Sequence, residues 1–187
     1  MLTFIMGKTC SGKTRIVEEL CKKYGYHKLV TYTTRPMRKA ERDGVDYHFI
    51  SAKEFMDKIN MRFFAEYKQY DTNDGVWSYG VAREELEHAD NKTVLIVTPD
   101  GYRDIIKEYS DLKCRLLYIY ANNKTVKNRA SKRGDNTKEI ERRIKADNED
   151  FKGVESLADK IVYNNDCDDL NMVLEKINDY VEANRQC

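Results

Sequence analysis

Proline is nearly missing from this chain. Only Pro36 and Pro99 occur among 187 residues, where average usage of about 5% would give about nine, so little interrupts a long helix. Long apolar runs are missing too: the opening Leu2–Met6 stretch is broken by Gly7 and Lys8, too short for a signal h-region or a membrane span. That predicts a cytoplasmic protein. The five cysteines, Cys10, Cys21, Cys114, Cys167 and Cys187, are scattered, odd in number and contain no C-x-x-C pair, so free thiols without a metal site are expected. Net charge is small as well, with 33 Lys and Arg against 32 Asp and Glu, which excludes a uniformly basic nucleic-acid coat. Apolar residues, at 41%, suffice for a core, and the length suits one domain.

What is present reads as alternating strands and helices. Leu2–Met6 is a strand, followed by a glycine-bearing loop and a helix whose apolar positions Ile16, Val17, Leu20 and Cys21 recur at helical spacing. Leu29–Thr33 and Tyr47–Ile50 read as further strands. Ser51 and Glu54 form a capping box that opens a helix to about Asn60. Residues 75–80 read as a turn region, with a helix over about Ala82–Ala89. Thr93–Val97 and Arg115–Tyr120 are continuous apolar runs of the kind a strand covered on both faces needs. Helices follow near Pro99, over Asn123–Lys132 and over Thr137–Asp150, then a short strand Ile161–Tyr163 and a closing helix Leu170–Asn184. This order predicts an α/β fold with a mostly parallel sheet covered on both faces.

The loop after the first strand is Gly7-Lys8-Thr9-Cys10-Ser11-Gly12-Lys13-Thr14, the pattern G-x-x-x-x-G-K-[ST] between a strand and a helix. Its glycines let successive N–H groups converge on a phosphate at a helix N-terminus, Lys13 can reach β and γ oxygens, and Thr14 can hold Mg²⁺. A P-loop NTPase core that binds ATP with Mg²⁺ is therefore expected. Further on, Arg35 and Arg38 place two guanidinium forks within four residues beside Thr31, Thr33 and Thr34, a set suited to bidentate phosphate contact.

The run Thr33-Thr34-Arg35-Pro36-Met37-Arg38, then Glu41, then Asp43-Gly44-Val45-Asp46-Tyr47-His48-Phe49 resembles the acceptor-site signature of guanylate kinases. The resemblance spans essentially the whole chain, continuing through Phe64-Ala65-Glu66-Tyr67, Tyr79-Gly80, a basic segment, and Ile161-Val162-Tyr163-Asn164-Asn165-Asp166. It implies a three-layer core over 1–31, 82–121 and 146–187, a small β-rich acceptor-binding region over 32–81, and a helical lid over 122–145. It also implies a phosphotransferase passing the γ-phosphoryl of Mg-ATP to GMP. Arg35, Arg38, Tyr47 and Tyr79 would grip the acceptor phosphate, with Glu66 and Thr31 on its base. Arg129, Arg133 and Arg143 would act with Lys13 on the transferring group, and Arg129 and Asn164 would flank adenine. The implied partners are ATP and GMP, with no nucleic acid and no membrane.

Chemistry supports Glu66 independently: an ionised carboxylate accepts guanine N1–H and N2–H together, whereas adenine would leave it unpaired. Charge distribution supports a lid, because residues 122–145 carry nine Lys/Arg and three Asp/Glu, net +6, whereas 146–187 carry four basic and eleven acidic residues, net −7. Mobile cations of this kind can neutralise a transferring phosphoryl group.

Four positions depart from the family pattern. Ile96 and Thr98 stand where aspartates are common, leaving Asp100 as the nearby carboxylate for Mg²⁺; Val81 stands where Ser or Thr is usual, and Cys10 replaces a usual glycine. Two alternatives stay open on these residues. One is a related P-loop kinase acting on another nucleotide or on a phosphorylated sugar of the ribose bisphosphate type, favoured by Val81 and the lost aspartates and disfavoured by Glu66. The other is a non-catalytic guanylate-kinase-like interaction module, against which the intact Gly12-Lys13-Thr14 argues.

Overall fold

A computed structural model describes residues 1–39, 41–72 and 75–184. Cys10, Cys21, Cys114 and Cys167 are free thiols, and Cys187 lies outside the described residues. Nine strands and eight helices occur among these residues, and the chain divides into two compact units. One comprises 1–28, 90–100 and 113–187, the other 29–89 and 101–112.

The first unit is built on a five-stranded, wholly parallel sheet in the order β2-β7-β1-β8-β9: His27–Lys28, Thr93–Ile96, Leu2–Met6, Cys114–Tyr120 and Lys160–Tyr163. Its central strands have no exposed face, which is why β1 is buried throughout and Leu116, Leu117 and Ile119 are fully buried. Helix α1 (Lys13–Tyr24) packs Ile16, Val17 and Leu20 against this sheet together with Val173, Leu174, Ile177 and Val181 of α8 (Leu170–Ala183). Helices α5 (Asn123–Arg133), α6 (Thr137–Asp150) and the single-turn α7 (Val154–Leu157) lie between β8 and β9 in the chain. Asn122 caps α5 by accepting the Thr125 N–H at 2.8 Å, and Gly134 ends it in a left-handed conformation.

The second unit carries a four-stranded sheet in the order β4-β3-β6-β5: His48–Phe49, Tyr32–Thr33, Gly75–Ala82 and Phe64–Thr72. β3 and β4 are parallel; β3/β6 and β5/β6 are antiparallel. Residues 75–80, expected as a turn region, are instead strand. Val76, Trp77, Ser78 and Tyr79 alternate across the pleat there, with Gly75 opening the strand and Gly80 inside it. Gly80 is required by packing, since a Cβ there would stand 2.7 Å from Phe64 Cδ1. Of the expected strand Leu29–Thr33 only Tyr32 and Thr33 are strand, as β3 of the second sheet, while His27 and Lys28 before it form β2 of the first. Helix α2 (Ala52–Asn60) opens with the expected reciprocal capping box of Ser51 and Glu54. Short α3 (Arg83–Glu87) follows β6, and α4 (Pro99–Glu108) follows β7.

Candidate functional site

In the first unit, the chain leaves β1 and turns through the glycine-bearing loop into α1. Gly12 sits at φ 94°, and a Cβ there would run into the Asn164 side chain, so only glycine fits. Cys10 also takes a positive φ of 57°, a conformation disfavoured for a side-chain-bearing residue. Ser11 is buried, and its hydroxyl has no hydrogen-bond partner among the described residues. Lys13 folds back on the loop, donating to the Gly7 and Lys8 carbonyls at 2.6 and 3.1 Å. Burial lowers its pKa to about 8, against the nearby charges of Asp147 and Cys10, which raise it. Thr14 is exposed on the first turn of α1.

Three residues far along the chain close on this loop. The buried Asn164 side chain donates to the Ser11 carbonyl at 2.7 Å. Arg129 donates to the Cys10 and Ser11 carbonyls at 3.3 and 3.2 Å while its Nε meets Asp166 at 3.1 Å. Arg133 reaches the Cys10 sulfur at 3.5 Å and is held by Asp135. Beside them opens a cavity of about 310 Å³ lined by Gly12, Arg129, Asn164 and Asp166 among others. From the last turn of α6, Asp147 accepts the Thr9 backbone N–H at 2.6 Å, and Asn148 accepts from Lys8 Nζ at 2.7 Å. Arg143 lies half-buried on the same helix. Asp100 is exposed in the first turn of α4. Burial, then the charges of Asp100, Asp147 and Glu149, push the carboxyl of Asp150 upward. No group of three His, Cys, Asp or Glu is arranged to hold a metal among the described residues.

In the second unit, strand register decides which side chains share a face. Glu66 lies opposite Val81, Lys68 opposite Tyr79, and Thr33 opposite both Tyr79 and Phe49. Tyr47, two residues ahead of Phe49, joins that face, its ring 6.0 Å from Tyr79 and 5.7 Å from Phe49. The opposite face is apolar, with Phe64 stacked on Phe55 at 4.5 Å and Tyr32 packed against Phe63 and Phe64. Thr31 enters β3 with its carbonyl accepting the His48 N–H at 2.9 Å.

Arg35 is the best-held group of this unit. It is 4% exposed, donates from Nη2 to both Glu41 carboxylate oxygens at 2.7 and 2.9 Å and from Nη1 to the Pro36 carbonyl at 2.7 Å, and lies over the rings of Tyr47 and Phe49. Glu41 also accepts the Arg38 backbone N–H at 2.8 Å. Burial pushes its carboxyl upward, but the Arg35 and Arg38 contacts outweigh this and hold it below its usual range. The Arg38 side chain is 58% exposed. Burial, then the neighbouring Tyr79, raises the Tyr47 phenol.

A family model described as guanylate kinase matches residues 2–184. The chain belongs to the guanylate kinase family. Among relatives named guanylate kinase, that of Sulfurimonas denitrificans is 32% identical over 146 residues, covering 75% of this chain and 68% of its own. That of Fusobacterium nucleatum is 26% identical over 182 residues, covering 93% and 95%. A crystal structure of guanylate kinase from Anaplasma phagocytophilum superposes with a TM-score of 0.72 at 20% identity, covering all of this chain and 87% of that one. Its fold is therefore shared. Within the family frame, Glu41 and Asp147 are the contacts that sequence reasoning gave no role. Glu41 stands inside the signature, six residues after Arg35. Asp147 carries no local signal, because its partner lies 138 residues away.

Proposed function

We propose that this member of the guanylate kinase family transfers the γ-phosphoryl group of ATP to GMP, giving ADP and GDP. The observation that carries the reading is the composition of the β3/β6/β5 face. A carboxylate at Glu66 suits the two adjacent N–H donors of guanine, and the buried, bracketed Arg35 with Arg38, Tyr47 and Tyr79 suits a monophosphate. Val81 opposite Glu66 offers the base an apolar wall, with Thr31 as the hydroxyl for its other edge. In this reading residues 32–81 form the acceptor region, 122–145 the lid and the rest the core, in a cytoplasmic enzyme. No helix among the described residues is long and apolar enough to cross a membrane.

On the donor side, the N–H groups of 8–14 and Lys13 would hold the β and γ phosphates, and the cavity at Gly12, Arg129 and Asn164 would take adenine. Arg133 and Arg143 would lie against the transferring group. Catalysis of this kind is positioning plus charge stabilisation, with no covalent intermediate. The donor set fits Mg²⁺ in kind: a threonine hydroxyl and a carboxylate are hard oxygen ligands, and the Asp100 carboxylate lies close enough to Asp150 for its charge to act there, second to burial. Thr14, with Asp100, would hold the ion, which when bound neutralises phosphate charge. A coupled ATP assay over GMP, AMP, CMP, UMP and a ribose bisphosphate tests the proposal. Turnover with GMP well above the others is expected; turnover with another acceptor and none with GMP overturns it.

A further inference from the structure

Helix α6 ends in Asp147, Asn148, Glu149 and Asp150 with no basic residue in its last turn. Three carboxylates at a helix C-terminus oppose the macrodipole, so on helix energetics alone this is an unfavourable place for them. For Asp147 the offset is visible elsewhere. Its carboxylate accepts the backbone N–H of Thr9 at 2.6 Å, and its charge acts on the Lys13 ammonium. Thr9 is the third residue of the Gly7–Thr14 loop, and Lys13 supplies that loop's cation. A carboxylate with both neighbours holds the kind of place that a phosphate oxygen takes at such a loop.

We propose that Asp147 is a built-in competitor for the phosphate loop, a residue that sets its affinity and selectivity: in the nucleotide-free protein it holds the Thr9 N–H, and a phosphate chain binds by displacing it. The proposal rests on the reading of Gly7–Thr14 as the ATP site. The apparent affinity of any ligand is then lowered by the fraction of molecules in which the carboxylate is seated. A polyphosphate, which makes several loop contacts at once, outcompetes a single carboxylate, whereas orthophosphate makes few and does not. Asp147 therefore filters for di- and triphosphates. Displacement also releases the last turn of α6 from the loop, so that filling the site frees the helix end that follows the lid segment.

The test is titration calorimetry of the full-length protein with ATP and with inorganic tripolyphosphate. Asp147→Asn and Asp147→Ala are expected to tighten both ligands about tenfold, within the range of ordinary site-to-site coupling. Asn148→Ala removes the other side-chain contact between the same helix and loop, made by an uncharged amide to the exposed Lys8 ammonium, and is expected to leave affinity within about twofold. Unchanged or weaker binding in both Asp147 variants overturns the proposal. Equal tightening in Asn148→Ala also overturns it, because the effect would then come from undocking the helix and not from an anion. Failure of the unaltered protein and every variant to bind ATP sinks the ATP-site reading, and this proposal with it. A measurement needing no variant is amide exchange of the unaltered protein: residues 144–150 should exchange faster with tripolyphosphate bound, and equal or slower exchange overturns the proposal.

Discussion

Lys13 is the residue at which solvation and function pull in opposite directions. Its ammonium is drawn back onto two loop carbonyls and burial lowers its pKa to about 8, so near that pH a substantial share of the free protein carries a neutral lysine. A polyphosphate favours the charged form and raises the pKa again. The sign follows from linkage: affinity for ATP is fully present below about pH 8 and declines as the pH rises past it, and binding at pH 8 takes up about half a proton. Titration of ATP at pH 8 in two buffers of different ionisation enthalpy reads this uptake directly. Lys13→Arg, whose guanidinium stays charged throughout, should abolish it. Uptake that persists in Lys13→Arg, or none in the unaltered protein, would contradict this account. The glycine-bearing loop motif made Lys13 legible from sequence, but not this titration, which depends on burial and on a carboxylate 134 residues further along. Glu41 is similar, since its role rests on both its oxygens meeting Arg35 Nη2, a geometry that side-chain rotamers determine.

At the scale of elements, the β5/β6 hairpin decides the acceptor face, and its tightest point is Gly80 against the Phe64 ring. A Cβ at 80 would stand 2.7 to 3.0 Å from three ring atoms, and that ring is already stacked on Phe55 and edged by Tyr32 and Phe63. Gly80→Ala should destabilise the protein by about 1–3 kcal/mol, the ordinary penalty for overpacking. Phe64→Leu in the same chain should recover part of that loss by removing the ring. Urea unfolding of both single variants and the double variant forms the cycle, and purely additive losses would show that the ring contact is not the cause. The same hairpin explains why sequence reading was uneven. Strands β1, β7 and β8 were legible because burial on both faces makes them continuous apolar runs. The capping box of Ser51 and Glu54 was legible because its partners are three residues apart. Strand β5 alternates Glu66, Lys68 and Tyr70 with Tyr67, Gln69 and Asp71, so the face that carries chemistry erases the apolar period that marks a strand. Strand β6 was hidden by its glycines, and β2, β3 and β4 are only two residues long. The site was legible wherever a motif is local or the family resemblance reaches, as at Asn164 after β9, and illegible where Asp147 of α6 returns to the loop.

The near-zero net charge of the whole molecule conceals an uneven distribution, and the structure shows how it is used. The basic stretch 122–145, net +6, and the acidic stretch 146–187, net −7, meet through Arg129 and Asp166, while Arg133 pairs with Asp135 inside the basic stretch. Arg133 is 53% exposed, so solvent ions reach it. Arg35 in the other unit is 4% exposed and enclosed by Glu41, Tyr47 and Phe49, so they do not. Salt attenuates the field of exposed charges over a length of about 10 Å at 0.1 M and a shorter one at higher salt, and acts on buried pairs far less. Raising KCl from about 0.05 M to about 0.5 M should therefore weaken ATP several-fold more than GMP, the latter losing only what the exposed Arg38 contributes. Arg133→Gln isolates the cause, because ATP carries more charge than GMP and would be more salt-sensitive at any cationic site. That variant should flatten the salt dependence of ATP while leaving that of GMP unchanged. An ATP salt dependence as steep in Arg133→Gln as in the unaltered protein would mean that the exposed cation is not where screening acts.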